Sequence, residues 1–110
     1  MPVNNIPTSN QHYNDIADLN DAEILLTKHI GSFEIVSSEN LYDEDEDRIL
    51  RAFKFNRGVK EFEVVIHPDF YIKAASKRTP IELMVDINIV LVNYLYDVLP
   101  YINAGEKCDE

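Results

Sequence analysis

Five consecutive carboxylates, Asp43-Glu44-Asp45-Glu46-Asp47, are the densest set of chemically capable side chains in the sequence. Asp43, Asp45 and Asp47 stand at alternate positions, as in the opening of an EF-hand calcium loop. That loop also requires glycine at its sixth position and glutamate at its twelfth. Arg48 and Lys54 stand there instead, so the calcium pattern fails. His12, His29 and His67 share no ligand spacing with one another or with the single cysteine, Cys108, so no zinc set can be drawn. Cys108 lies two residues from the end of the sequence, a poor position for a nucleophile that needs fixed geometry. No catalytic motif and no phosphate-cradling glycine loop is present. The expectation is a non-enzymatic protein with no metal and no cofactor.

What such a cluster can do is electrostatic. Packed carboxylates imitate phosphate and speed association with a cationic surface. Glu39, Asp43, Glu44, Asp45, Glu46 and Asp47 are the candidate partner-binding residues. Asp15, Asp18 and Asp21 are expected to extend the same negative surface from a preceding helix.

A second set raises nucleic-acid binding. Arg48, Arg51, Lys54, Arg57, Lys60, Lys73, Lys77 and Arg78 are interleaved with Phe53, Phe55, Phe62, Phe70 and Tyr71, as in single-strand binders. Strand parity sends Phe53, Phe55 and Phe62 to a face needed for the core, and the net charge of −10 opposes approach to phosphates. A basic protein partner, itself able to bind nucleic acid, is therefore favoured over direct contact with nucleic acid or an acidic membrane.

Charge is laid out in blocks. Residues 1–47 carry eleven acids and one base, residues 48–79 eight bases and three acids, and residues 80–110 six acids and one base. The basic middle can pair with the acidic flanks and leave the excess negative charge outside. With 45% apolar and 27% charged residues the 110-residue sequence fits one globular domain. The start, Met1-Pro2-Val3-Asn4-Asn5, has no secretory pattern. The longest apolar stretch, Ile81 to Leu99, holds Glu82, Asp86 and Asp97, too many carboxylates for a membrane span. With one cysteine, these features point to a reducing, cytoplasmic setting.

The elements that must position these residues follow from periodicity. Residues 1–13 read as a flexible tail, 14–103 as a single α+β domain and 104–110 as a second tail. Ile16, Leu19, Ala22, Leu26 and Ile30 recur at helical spacing, and Gly31 stands where a C′ glycine belongs. Residues 32–37 alternate as a strand, and Glu39 to Asp47 form the loop after it. Residues 48–56 and 59–67 form a hairpin around Arg57-Gly58, with Phe53 opposite Phe62 and Lys54 opposite Glu61. Residues 69–78 fit either a fourth strand or a short helix. Thr79-Pro80-Ile81-Glu82 predicts an N-cap at Thr79 and a capping box to Glu82, opening a long apolar helix to about Leu99, where Pro100 stops it. The expected fold is an N-terminal helix, an antiparallel sheet of three or four strands, and that helix packed on one sheet face.

The last helix places Glu82, Asp86, Asn93 and Asp97 on one stripe and apolar residues nearly everywhere else. A small sheet and one other helix cannot cover so much apolar surface. Ile89, Val92 and Tyr96 are therefore the expected interface of a homodimer. The function that fits is a small acidic module of the inhibitor, immunity or DNA-mimic type, such as phages and bacteria encode. The alternative is a dimeric chaperone or assembly factor holding an apolar client segment.

Overall fold

The computed structural model of the chain describes residues 9–98. Helix α1 spans Asn10–His29, followed by strands β1 (Glu34–Asp43), β2 (Arg48–Arg57), β3 (Lys60–His67) and β4 (Tyr71–Ala75). Helix α2 spans Ile81–Asn93 and runs into a π-turn, Tyr94–Val98. The strands form one antiparallel meander in the order β1-β2-β3-β4. Both helices pack on one face, giving the expected α+β architecture. Leu19, Leu26, Phe53, Phe55, Val64, Ile66, Leu83, Ile87 and Leu91 are fully buried between helices and sheet.

Local chemistry explains where the elements begin and end. Ser9 caps α1, its hydroxyl accepting the His12 N–H at 3.2 Å. Residues 10–13, read as the end of a tail, are therefore helical. The tail residues 1–8, the helix end at Leu99, the tail 104–110 and Cys108 lie outside the described residues. At the other end Gly31 does not take the left-handed C′ conformation. Ile30 caps the helix in an extended conformation, with its N–H bonded to the Leu26 carbonyl at 3.0 Å. The reason is packing: Ile30 and Phe33 are both buried and draw the chain directly into β1.

β1 is longer than its alternation suggests, running to Asp43, so the expected loop 39–47 contracts to the four-residue turn 44–47. A bulge at Val36 interrupts the period between Ile35 and Ser37 and hides the strand's continuation. The β2–β3 hairpin closes through Gly58-Val59 rather than Arg57-Gly58, pairing Arg57 with Lys60, Phe55 with Phe62 and Phe53 with Val64. The shift is two residues, so parity and the buried face survive. Gly58 has φ 66°, and a glycine at the first central position suits a two-residue hairpin turn. Lys54 faces Glu63, and its contact with Glu61 is diagonal at 3.9 Å.

Residues 71–75 resolve as strand. Phe70, at φ 70°, turns the chain into β4 and stacks on Tyr94 with ring centroids 5.0 Å apart. The capping box does not form. The Thr79 hydroxyl pairs with the Ser76 hydroxyl at 2.8 Å, and α2 opens one residue late, the Pro80 carbonyl accepting from Leu83 and Met84. The α-helical part of α2 is 13 residues, shorter than the long helix expected.

Candidate protein-docking surface

The acidic run is a tight β-turn with defined partners for most of its carboxylates. The Asp43 carboxylate accepts the backbone N–H groups of Asp45 at 2.9 Å and Glu46 at 3.3 Å, an Asx-type cap that holds the turn shut. Asp47 completes the turn with φ 57°, a left-handed conformation that aspartate tolerates. Glu46 and Asp47 then leave on opposite sides of the sheet.

Glu46 reaches over the face away from the helices. It accepts from Lys73 Nζ at 2.6 Å and from His67 Nε2 at 2.9 Å. These two partners hold the Glu46 carboxyl below its usual range. His67 is buried under this contact and under Tyr71, whose ring stacks on it at 4.4 Å. Its Nδ1 accepts the Asp69 N–H at 2.9 Å, which selects the tautomer with the proton on Nε2. Asp47 reaches the helix side, where its carboxylate accepts from the Tyr42 hydroxyl at 2.7 Å and from His12 Nε2 at 3.0 Å. Those hydrogen bonds lower the Asp47 carboxyl and raise the Tyr42 phenol.

Asp15 does not contribute to a negative surface. It is fully buried at the joint between α1 and β2. Arg48 Nε donates to both its oxygens at 3.1 Å and Nη2 donates at 2.9 Å. The Ile49 N–H and the Gln11 amide add bonds of 3.0 and 2.8 Å. Burial pushes this carboxyl up, but Arg48, Ile49 and Gln11 outweigh it and leave it below the ordinary value. Asp15 in turn raises the Arg48 guanidinium, which also pairs with Asp69 at 3.0 Å.

The surface that remains is therefore a subset of the expected one with one addition. Among the described residues, Glu44 and Asp45 at the apex of the turn are exposed and have no ion-pair partner within 4 Å. Asp18 lies on α1 beside the Arg48–Asp69 pair. Partial burial raises its carboxyl, and Asp21, Asp15 and Asp69 raise it further. Asp21 is exposed on the next turn of the helix. Asp69 is the addition, placed at this corner by the β3–β4 turn. Glu39 is exposed on the outer sheet face, four residues before Asp43, the first acid of the run. Asp43, Glu46 and Asp47 are partly spent on internal contacts.

One signal in the sequence could have found the buried carboxylate. His12 and Asp15 precede Leu19, Ala22 and Leu26 on the same helical stripe, so both had to face the core. The cationic residues are mostly paired as the charge blocks imply: Arg51 with Glu23 at 3.1 Å, Arg57 with Glu82 at 3.2 Å, and Lys73 with Glu46. Phe53, Phe55 and Phe62 are core residues. Among the described residues no group of histidine, cysteine and carboxylates could hold a metal ion, and no helix is long and apolar enough to cross a membrane. No family model matches this chain, and neither a curated protein nor a solved structure matches it.

Proposed function

We propose that this acidic corner docks on a basic surface of a protein partner, acting as inhibitors, immunity proteins and DNA mimics do, with the cytoplasm as its compartment. The observation that carries the reading is the β1–β2 turn. Asp43 caps it and Glu46 and Asp47 tie it to both sides of the sheet, while Glu44 and Asp45 stand exposed at its apex. Charges held on a rigid turn lose little freedom on binding, which favours recognition over mere solubility. Asp18, Asp21 and Asp69 widen the corner on the α1 side, and the overall charge of −10 steers cationic partners toward it.

The test is retention of a basic protein from source-cell lysate, its identification, and a binding curve with both components purified. Glu44→Gln with Asp45→Asn is the variant of choice, because it removes charge without touching the contacts that hold the turn. The expected result is an affinity that falls with salt and falls again, about tenfold, in the double variant, a loss of roughly 1.4 kcal/mol. Equal affinity for wild type and variant would overturn the reading. The alternative, an apolar client held on the exposed face of α2, is supported by the apolar residues on that face. It predicts binding that persists as the Debye length contracts.

A further inference from the structure

Two buried histidines grip the acidic turn from opposite sides, and they differ in what stands before their second ring nitrogen. His12 is 4% exposed and His67 1%. Each turns Nε2 toward a carboxylate of the turn, His12 to Asp47 at 3.0 Å and His67 to Glu46 at 2.9 Å. His12 Nδ1 is buried and has no hydrogen-bond partner among the described residues. His67 Nδ1 faces two groups, both from Asp69. The backbone N–H donates to it at 2.9 Å, and the carboxylate Oδ2 lies 3.7 Å away.

An imidazole nitrogen either accepts or donates a hydrogen bond, never both at once. While Nδ1 carries a lone pair, it takes the Asp69 N–H and leaves the carboxylate aside. A proton arriving on Nδ1 from solvent reverses this. Two N–H groups then point at each other, and the backbone bond breaks. The Asp69 carboxylate is the acceptor next to it. An approach of about 0.8 Å turns the present separation into a charge-assisted hydrogen bond.

Every element around the ring contributes a charged or polar group. Glu46 faces Nε2 from the β1–β2 turn, its carboxyl held below the usual range by Lys73 of β4 and by His67 itself. Lys73 also lies 3.9 Å from Asp43 at the end of β1. The Tyr71 ring of β4 stacks on the imidazole. Arg48 of β2 holds Oδ1 of Asp69 at 3.0 Å, which leaves Oδ2 on the His67 side. Behind Arg48 stand Asp15 and Asp18 of α1.

The segment that moves is short and already strained. His67-Pro68-Asp69-Phe70 is a turn closed by the Phe70 N–H on the His67 carbonyl at 2.9 Å. Phe70 holds φ 70°, an uncommon conformation for a bulky side chain. Asp69 is exposed, so its released N–H turns to water.

We infer that His67 is a proton-operated latch on the β3–β4 turn. Uncharged, it holds the Asp69 backbone N–H; protonated, it lets that bond go and takes the Asp69 carboxylate instead. His12, with no acceptor before its Nδ1, has no such exchange. The inference stands apart from the docking reading, because it concerns contacts within the chain whether or not a partner binds.

Nuclear magnetic resonance on the full chain, from neutral to mildly acid pH, is the test. As the His67 ring nitrogens take on the imidazolium pattern, the Asp69 amide should lose about tenfold in protection from hydrogen exchange, the worth of one hydrogen bond. A slowly exchanging Nδ1–H signal should appear with it. Asp69→Asn keeps the backbone donor and removes the carboxylate, so its amide should still be released while the Nδ1–H signal is lost to exchange with water. His67→Asn places an oxygen that accepts the same N–H two residues on and does not titrate, so its Asp69 amide should stay protected throughout. Should His67→Asn lose its fold, Asp69→Asn and wild type carry the test. An Asp69 amide that stays protected while His67 titrates overturns the proposal. So does a folded protein whose His67 ring never takes a second proton, or an Nδ1–H signal indifferent to Asp69→Asn.

Discussion

Asp15 shows what a single buried charge does in this molecule. It satisfies the Arg48 guanidinium and the Ile49 N–H at once, and so welds the first turns of α1 to the start of β2. Asp15→Ala leaves Arg48 without its buried partner, and should cost about 3–5 kcal/mol, read from urea midpoints. The pH dependence has a defined sign. A carboxyl held below its unfolded value of 3.8 adds stability that is complete above that value and is lost as pH falls through the folded one. Glu46 and Asp47 act in the same direction, and Asp18, whose carboxyl is raised, acts in the opposite one. Wild type should therefore lose stability on acidification below about pH 4, and Asp15→Ala should lose less over the same range. Parallel slopes for the two proteins would remove Asp15 from this account. His67 gives a separate check: in a nitrogen-15 spectrum its uncharged ring should show the Nε2–H tautomer, because Asp69 donates to Nδ1.

At the scale of elements, the period-3.6 stripe of α1, the alternation of β2 and β3 and the apolar run of α2 were all legible in the sequence. What local spacing could not supply were features set by tertiary contacts. β1 was cut short because its bulge at Val36 breaks the alternation. The hairpin register was displaced by two residues because Arg57 and Lys60 can flank the turn as well as Asn56 and Val59 can. The box at Thr79-Pro80-Ile81-Glu82 yielded to a hydroxyl pair with Ser76 and to the Arg57–Glu82 contact. The acidic corner was half legible. Its charge was plain, but the bonds from Asp47 to His12 and from Asp15 to Arg48 join residues more than thirty apart. Gly58 offers the clean test of a local rule. Nothing lies within 4 Å of an added Cβ, so Gly58→Ala probes conformation alone. Its φ of 66° should cost about 1 kcal/mol, seen as a lower thermal midpoint with no change in the folded spectrum.

For the whole molecule, charge works on two levels. Internal pairs neutralise most of the described bases, and exposed pairs of this kind contribute little each. The excess of −10 remains and repels itself. The protein should therefore melt at higher temperature as salt is added at neutral pH, and a falling midpoint would show that its surface pairs outweigh the net repulsion. The meander has a further property. An open sheet exposes two edges, and a flat exposed edge is a template on which another copy can add a strand. Here both edges are spoiled. β1 carries its bulge at Val36 with Glu34, Glu39 and Asp43 along it, and β4 is five residues long with a second irregularity opposite Val65 and Ile66, where Lys73 stands. A strand laid against either edge would lose register within a few residues and bring charge into the ladder. At high concentration this protein should therefore resist fibril growth, read as no rise in thioflavin fluorescence on prolonged incubation.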